Sequence, residues 1–104
     1  MIVSTTQDIP GREITEVLGL ARGNSVRARH AGRDIMAGLR NLVGGEIAEY
    51  AKLQAETREM ATRRMTEFAE SVGADAVVGV RYTTSMIASG ASEILAYGTA
   101  VKLS

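Results

Sequence analysis

The stretch from Glu46 to about Tyr82, EIAEYAKLQAETREMATRRMTEFAESVGADAVVGVRY, restricts the possible folds more than any other part of the chain. Apolar or small residues recur at Ile47, Ala51, Ala61, Met65, Phe68, Ala69 and Val72, close to the 3.6-residue period of an amphipathic helix. The spacing predicts a helix from Glu46 to Val72, with Gly73 supplying the positive-φ stop that helix C-termini favour. Ala76-Val77-Val78-Gly79-Val80 follows as a short β-branched run, the mark of a buried strand. Ala61, Met65 and Phe68 are expected to face the domain's own sheet, with Leu53 and Met60 on other sides. A helix over 46–72 would be about 40 Å long, whereas a compact domain of 104 residues is roughly 35 Å across. The helix is therefore expected to overhang its domain and bury its remaining apolar sides against another copy.

The rest of the chain supplies strands. Met1 to Thr6 reads as a short strand, and Asp8-Ile9-Pro10-Gly11 as a turn around the single proline. Glu13 to Ala21 reads as a strand with a bulge at Gly19, and Ser25 to Arg29 is again extended. Gly23-Asn24 between them suits either a hairpin turn or a bend, so 14–29 reads equally as one bent strand or two short ones. Gly32 to Gly45 places Ile35, Leu39, Leu42 and Val43 on one face of a short helix that Gly44-Gly45 ends. On the long helix, Lys52/Glu56, Glu59/Arg63 and Arg63/Glu67 are pairs at i,i+4 spacing. Residues 76–84 and 93–103 form the arms of a hairpin with Ser89-Gly90 as its turn signal. Ala76, Val78, Val80, Tyr82 and Thr84 are expected on one face of the first arm. Leu95, Tyr97, Thr99, Val101 and Leu103 share a face of the second, whose reverse side is small at Ala96, Gly98 and Ala100. The expected architecture is a single α/β (α+β) domain over 1–104: two layers, an antiparallel sheet with one long helix packed across it.

Composition excludes several function classes. Twelve basic and twelve acidic residues cancel, aromatics are 4% and tryptophan is absent. The chain thus offers neither an overall field for nucleic acid nor a stacking platform for single strands. Cysteine is also absent, which removes disulfides, thiolate nucleophiles and thiolate metal sites. No apolar run approaches the roughly 18 residues of a membrane span, and MIVSTTQDIPGRE lacks the basic start and apolar stretch of a signal peptide. A cytoplasmic protein is the expectation.

Three kinds of chemistry can be weighed against the residues. For metal, the chain has one histidine, His30, where a transition-metal site ordinarily gathers three or four nitrogen or sulfur ligands. A symmetric ring could bring several copies of His30 together; otherwise it is a polar residue beside a strand end. For anions, RARHAGRD sets Arg27, Arg29, His30 and Arg33 within one short segment, a basic belt suited to phosphate or carboxylate. The alternative is an ion-pair cluster, exposed or against the acidic long helix of a neighbouring copy. For catalysis, no nucleophile is paired with a base, and no Walker, G-x-G-x-x-G or His-Glu-x-x-His motif is present. The expectation is a protein without enzymatic activity.

Four blocks in order, GRDIMAGLRNLVGGEIAEY, AETREMA, GADAVVGVRYTTSMI and EILAYGTAV, resemble the YbjQ-like family across essentially the whole chain. The resemblance implies a dodecin-like two-layer subunit, assembly as a homopentamer, and the heavy-metal-binding label that the family carries. The chain departs from the pattern of many members at Glu46 and at Tyr50-Ala51, where an arginine and a glutamate are missing, and at Arg81, where an acidic residue is common. A carboxylate site built on those positions therefore does not carry over. The resulting functional expectation is a ring-forming, non-enzymatic binding or structural module. The alternative is a metal or small-anion binder using sites between subunits. Neither the residues nor the resemblance specifies a cofactor or a small-molecule ligand.

Overall fold

The computed structural model describes residues 1–28, 48–88 and 91–104. Its elements in chain order are β1 (Ile2–Val3), β2 (Ile14–Ala28), a helix α1 (Ala48–Ser71), β3 (Ala76–Ala88) and β4 (Ala91–Leu103). The strands form one four-stranded sheet in the order β1-β3-β4-β2. Both β2 and β3 pair antiparallel with β4, as expected of the hairpin, while β1 runs parallel to β3. The sheet is thus mixed at one edge, with α1 lying over β2 and β4 as the second layer. The short helix expected within 32–45 and the Ser89-Gly90 turn lie outside the described residues.

The sequence of α1 is rich in Ala, Glu, Lys, Arg, Leu and Met, all good helix formers, and holds neither Gly nor Pro. Thr57, Ala61, Met65 and Ala69 make its buried stripe, each fully excluded from solvent. The Thr57 hydroxyl satisfies itself by donating to the Leu53 carbonyl at 2.7 Å. At the C-terminus Gly73 has φ 83. Its N–H bonds the Glu70 carbonyl and the Ala74 N–H bonds the Ala69 carbonyl, both at 3.0 Å. That pair of bonds is a Schellman cap, and Ala74 completes it by packing onto the core cluster that contains Ala69. Phe68 does not join the buried stripe: it is 45% exposed, because Ala69 takes the sheet-facing position one residue later.

β2 is a single strand through Gly23-Asn24, paired with β4 from Ile14↔Leu103 to Ala28↔Ala91. The expected bulge at Gly19 appears as a shift of register between Val17 and Gly19. Gly23 is not a turn residue; it is the point where the helix backbone meets the sheet. A Cβ built there would fall 2.5 Å from the Ala61 carbonyl oxygen and closer still to the Met65 amide nitrogen. The small face of β4 faces the helix too, with Ala96 and Ala100 in the same cluster as Ala21, Ala61, Met65 and Ala69.

The face assignment on β3 changes halfway along. Gly79 sits at φ 62 and the register slips between Val78 and Arg81, so one extra residue is inserted. Ala76 and Val78 therefore point away from the helix with Val101 and Leu103, whereas Val77 and Val80 point toward it. Tyr82 follows Val80, its hydroxyl 2.8 Å from that of Thr62 on α1. The five residues expected on one face are in fact divided between two. The N-terminal segment secures the bulge: the Gly79 N–H donates to the Thr6 carbonyl at 2.8 Å and the Val80 N–H to the Ser4 carbonyl at 3.0 Å.

The subunit is elongated. The described chain measures 54 × 24 × 16 Å with a radius of gyration of 17.0 Å, against about 13 Å for a compact chain of this length. The 24 residues of α1 span about 36 Å. The sheet is the longest element.

Substituting Gly23 tests the close approach. Gly23→Ala is expected to destabilise the fold by about 3 kcal/mol, because two backbone atoms of α1 occupy the space and cannot rotate away. Urea unfolding should show a lower midpoint with an unchanged slope.

Candidate functional site

Two surfaces stand out. The first is the face of the sheet opposite α1. One end is closed by a cluster of Ala76, Val78, Val101 and Leu103, against which Ile9 and Ile14 pack. Ile9 reaches it because a tight turn folds the segment back, with an Ile9↔Arg12 bridge and the Arg12 N–H bonding the Ile9 carbonyl at 3.1 Å. Beyond that cluster the face is bare among the described residues. Alternation along β2 turns Leu20, Arg22, Asn24 and Val26 away from the helix, since Ala21, Gly23 and Ser25 are the buried positions. Val17 is 64% exposed, Leu20 59% and Val26 50%. Tyr97 lies between Arg22 and Arg81 in the strand register, making one cationic row across the sheet. Arg81 is tied down by donating to the Thr5 and Val80 carbonyls, at 3.1 and 2.8 Å.

The second surface is a groove of about 350 Å³ where α1 crosses the end of β2. Arg27 enters it from the strand; Ala55, Glu56, Arg58, Glu59, Met60 and Arg63 line it from the helix. The Arg27 guanidinium is 4.0 Å from the Glu56 carboxylate, a loose, half-exposed ion pair. The i,i+4 pairs expected along the helix do not close: among the described residues Arg27–Glu56 is the only ion pair. Other arginines are committed elsewhere. Arg12 donates to the Ser104 carbonyl at 2.7 Å and Arg64 to the Asn24 carbonyl at 2.8 Å.

Of the residues expected to hold an anion, the structure describes Arg27 and places it against the helix. Arg29, His30 and Arg33 lie outside the described residues. Sequence does not single out Arg58, and marks Arg63 only as a partner in ion pairs along the helix. On the helix they read as ordinary solvated charges, and only the packing of α1 on β2 brings them to Arg27. As for metal, no three His, Asp or Glu side chains converge among the described residues. No described helix is long and apolar enough to cross a membrane.

Comparison with known proteins bears on family and fold. The YbjQ family model, described as "Putative heavy-metal-binding", matches residues 1–104. A UPF0145 protein of Methanosarcina acetivorans is 60% identical over 103 residues, covering 99% of this chain and 97% of its own length. A UPF0145 protein of Vibrio campbellii is 59% identical, covering 99% of both. A crystal structure from Pediococcus pentosaceus, of a DUF74-family protein of unknown function, superposes with a TM-score of 0.72 over 100% of this chain at 15% identity, which bears on fold alone. With the model matched from end to end and relatives at this identity, the chain belongs to the YbjQ (UPF0145) family.

Proposed function

We propose that this protein is the subunit of a closed homo-oligomer that acts in the cytoplasm as a non-enzymatic binding or structural module, with five copies per ring as the family resemblance implies. The observation that carries this reading is the bare sheet face. A domain buries apolar surface between packed layers, and here α1 covers one side of the sheet while Val17, Leu20 and Val26 stand uncovered on the other. Monomers seldom leave a contiguous apolar patch beyond a few hundred Å². A head-to-tail contact between copies would cover that face, and closure into a ring leaves no free surface at either end. The extended 17.0 Å radius of gyration points the same way, since the described chain alone does not build a compact body.

Sedimentation of the purified protein tests this. The expected species at micromolar concentration contains five 11.0 kDa chains. Leu20→Lys should raise the dissociation constant at least about tenfold, or 1.4 kcal/mol, while leaving the helical circular dichroism intact. A stable wild-type monomer at that concentration overturns the proposal; a tetramer or hexamer overturns only the number five.

The family description raises heavy-metal binding as a property of this chain, and its donor set fits poorly. Soft metals select thiolate and imidazole ligands, and the sequence holds no cysteine and a single histidine. Calorimetric titration with zinc, copper or nickel is expected to reveal no saturable site at micromolar metal. One metal per chain, abolished by His30→Ala, would reverse this conclusion.

A further inference from the structure

We propose that two copies of this protein pair edge to edge through β3, antiparallel and about a two-fold axis at Thr84. The contact uses a strand edge rather than the bare sheet face, so it stands or falls apart from the ring.

The outer edge of β3 is closed at its start and open beyond. β1 pairs with Ala76 and Val77, and the N-terminal segment takes the Gly79 and Val80 N–H groups. Val80 directs its N–H to the Ser4 carbonyl and its own carbonyl to the Arg81 guanidinium, which also reaches Thr5, so both groups point away from β4. Alternation turns the N–H and C=O groups of Tyr82, Thr84 and Met86 the same way. They have no partner among the described residues. From Arg81 to Met86 the register with β4 is unbroken, and every residue from Arg81 to Ala88 is exposed.

Natural sheet edges are guarded against pairing by charges, bulges or covering side chains. β2, the other edge, has all three: Glu16, Arg22 and Arg27, the bulge at Gly19, and Arg64 donating to the Asn24 carbonyl at 2.8 Å. The run Tyr82-Thr83-Thr84-Ser85-Met86-Ile87-Ala88 carries no charge, proline or glycine. Its tyrosine, threonines and isoleucine favour strands.

The run is also self-complementary. With Thr84 opposite the partner's Thr84, Tyr82 falls opposite the partner's Met86, and Met86 opposite the partner's Tyr82. These three residues share the helix side of the sheet with their neighbours on β4. Of those neighbours Ala96 and Ile94 lie in the core, and the Ser92 hydroxyl donates to Gln54 of α1 at 3.4 Å. Because α1 lies over β2 and β4, the row on β3 is left exposed. Met86, at 74%, is the most exposed large apolar side chain among the described residues. In the pair each Met86 meets a tyrosine ring, a favourable sulfur–aromatic contact, and the threonines form a favoured cross-strand pair. The two copies of Arg81 lie at opposite ends of the paired segment, so no like charges meet. The outward groups of both chains close about six hydrogen bonds. An interface of one strand edge is small and its association weak; added to a ring, its two-fold axis joins two rings.

Cysteine cross-linking tests the axis, because the chain has no cysteine of its own. Residues opposed in a hydrogen-bonded pair have Cα atoms about 5.5 Å apart, within the span of a disulfide. Thr84→Cys, oxidised as the whole protein in its natural assembly, should give a covalent dimer. Ser85→Cys lies on the opposite face, about 8 Å from its copy by the strand offset, and should cross-link at least about tenfold more slowly. Sedimentation of the wild type from about 10 μM to about 1 mM should show the assembly doubling in mass. Thr84→Lys sets two lysines on the axis and should abolish the doubling while leaving the smaller assembly intact. Absence of the Thr84→Cys dimer, equal cross-linking of Ser85→Cys, or doubling that survives Thr84→Lys would each overturn the proposal. A monomer that doubles to a dimer supports the edge pairing and overturns the ring; a ring of five that never doubles does the reverse.

Discussion

The contact on which the structure depends is backbone against backbone: α1 rests on β2 at Gly23 with no side chain between them. Helices usually pack on sheets through a layer of branched side chains. Here alanines predominate, at Ala21, Ala61, Ala69, Ala96 and Ala100, with Met65 as the largest fully buried member and Val77, Val80 and Ile94 completing the cluster. Small residues bring the two layers close, so dispersion contacts are dense although each side chain is slight. The 16 Å thickness of the subunit follows directly. So does the groove: a helix held this near the strand brings Arg27 within reach of side chains on α1.

Much of this could be read in advance, and the exceptions share a cause. The helix, its Gly73 stop, the turn at Asp8 to Gly11 and the β3–β4 hairpin all rest on local signals, periodicity or turn chemistry, and all are present. Gly23-Asn24 looks like a turn because those residues form turns in isolation. What decides its conformation is a helix far along the chain, which needs a position without a side chain. The inversion of faces on β3 is similar. Gly79 gave no local sign that Ser4 and Thr6 would hold an extra residue in place, and strict alternation failed there.

The candidate site was half legible. Arg27 stood out as part of a basic cluster in sequence, and the structure keeps it in a cationic setting. Its described neighbours come from α1, not from the adjacent residues of its own segment. Charged residues on a helix carry no mark of which strand end they will lie beside. The cationic row of Arg22, Tyr97 and Arg81 was equally hidden, because it depends on a register set by two bulges.

The pairing of β2 with β4 also bears on how the chain reaches this state. Residues 14–28 are joined to residues 91–103, so one of the earliest strands to leave the ribosome must wait for the last. The β3–β4 hairpin is local and closes without that delay, and α1 sits between the two in sequence. Docking of β2 is therefore the slow, high-contact-order step of folding. Until it happens, Val17, Leu18 and Leu20 belong to an unpaired apolar strand. A nascent chain of this fold thus carries an unpaired apolar strand until β4 has been made, a period that chaperones or fast synthesis of β4 would shorten.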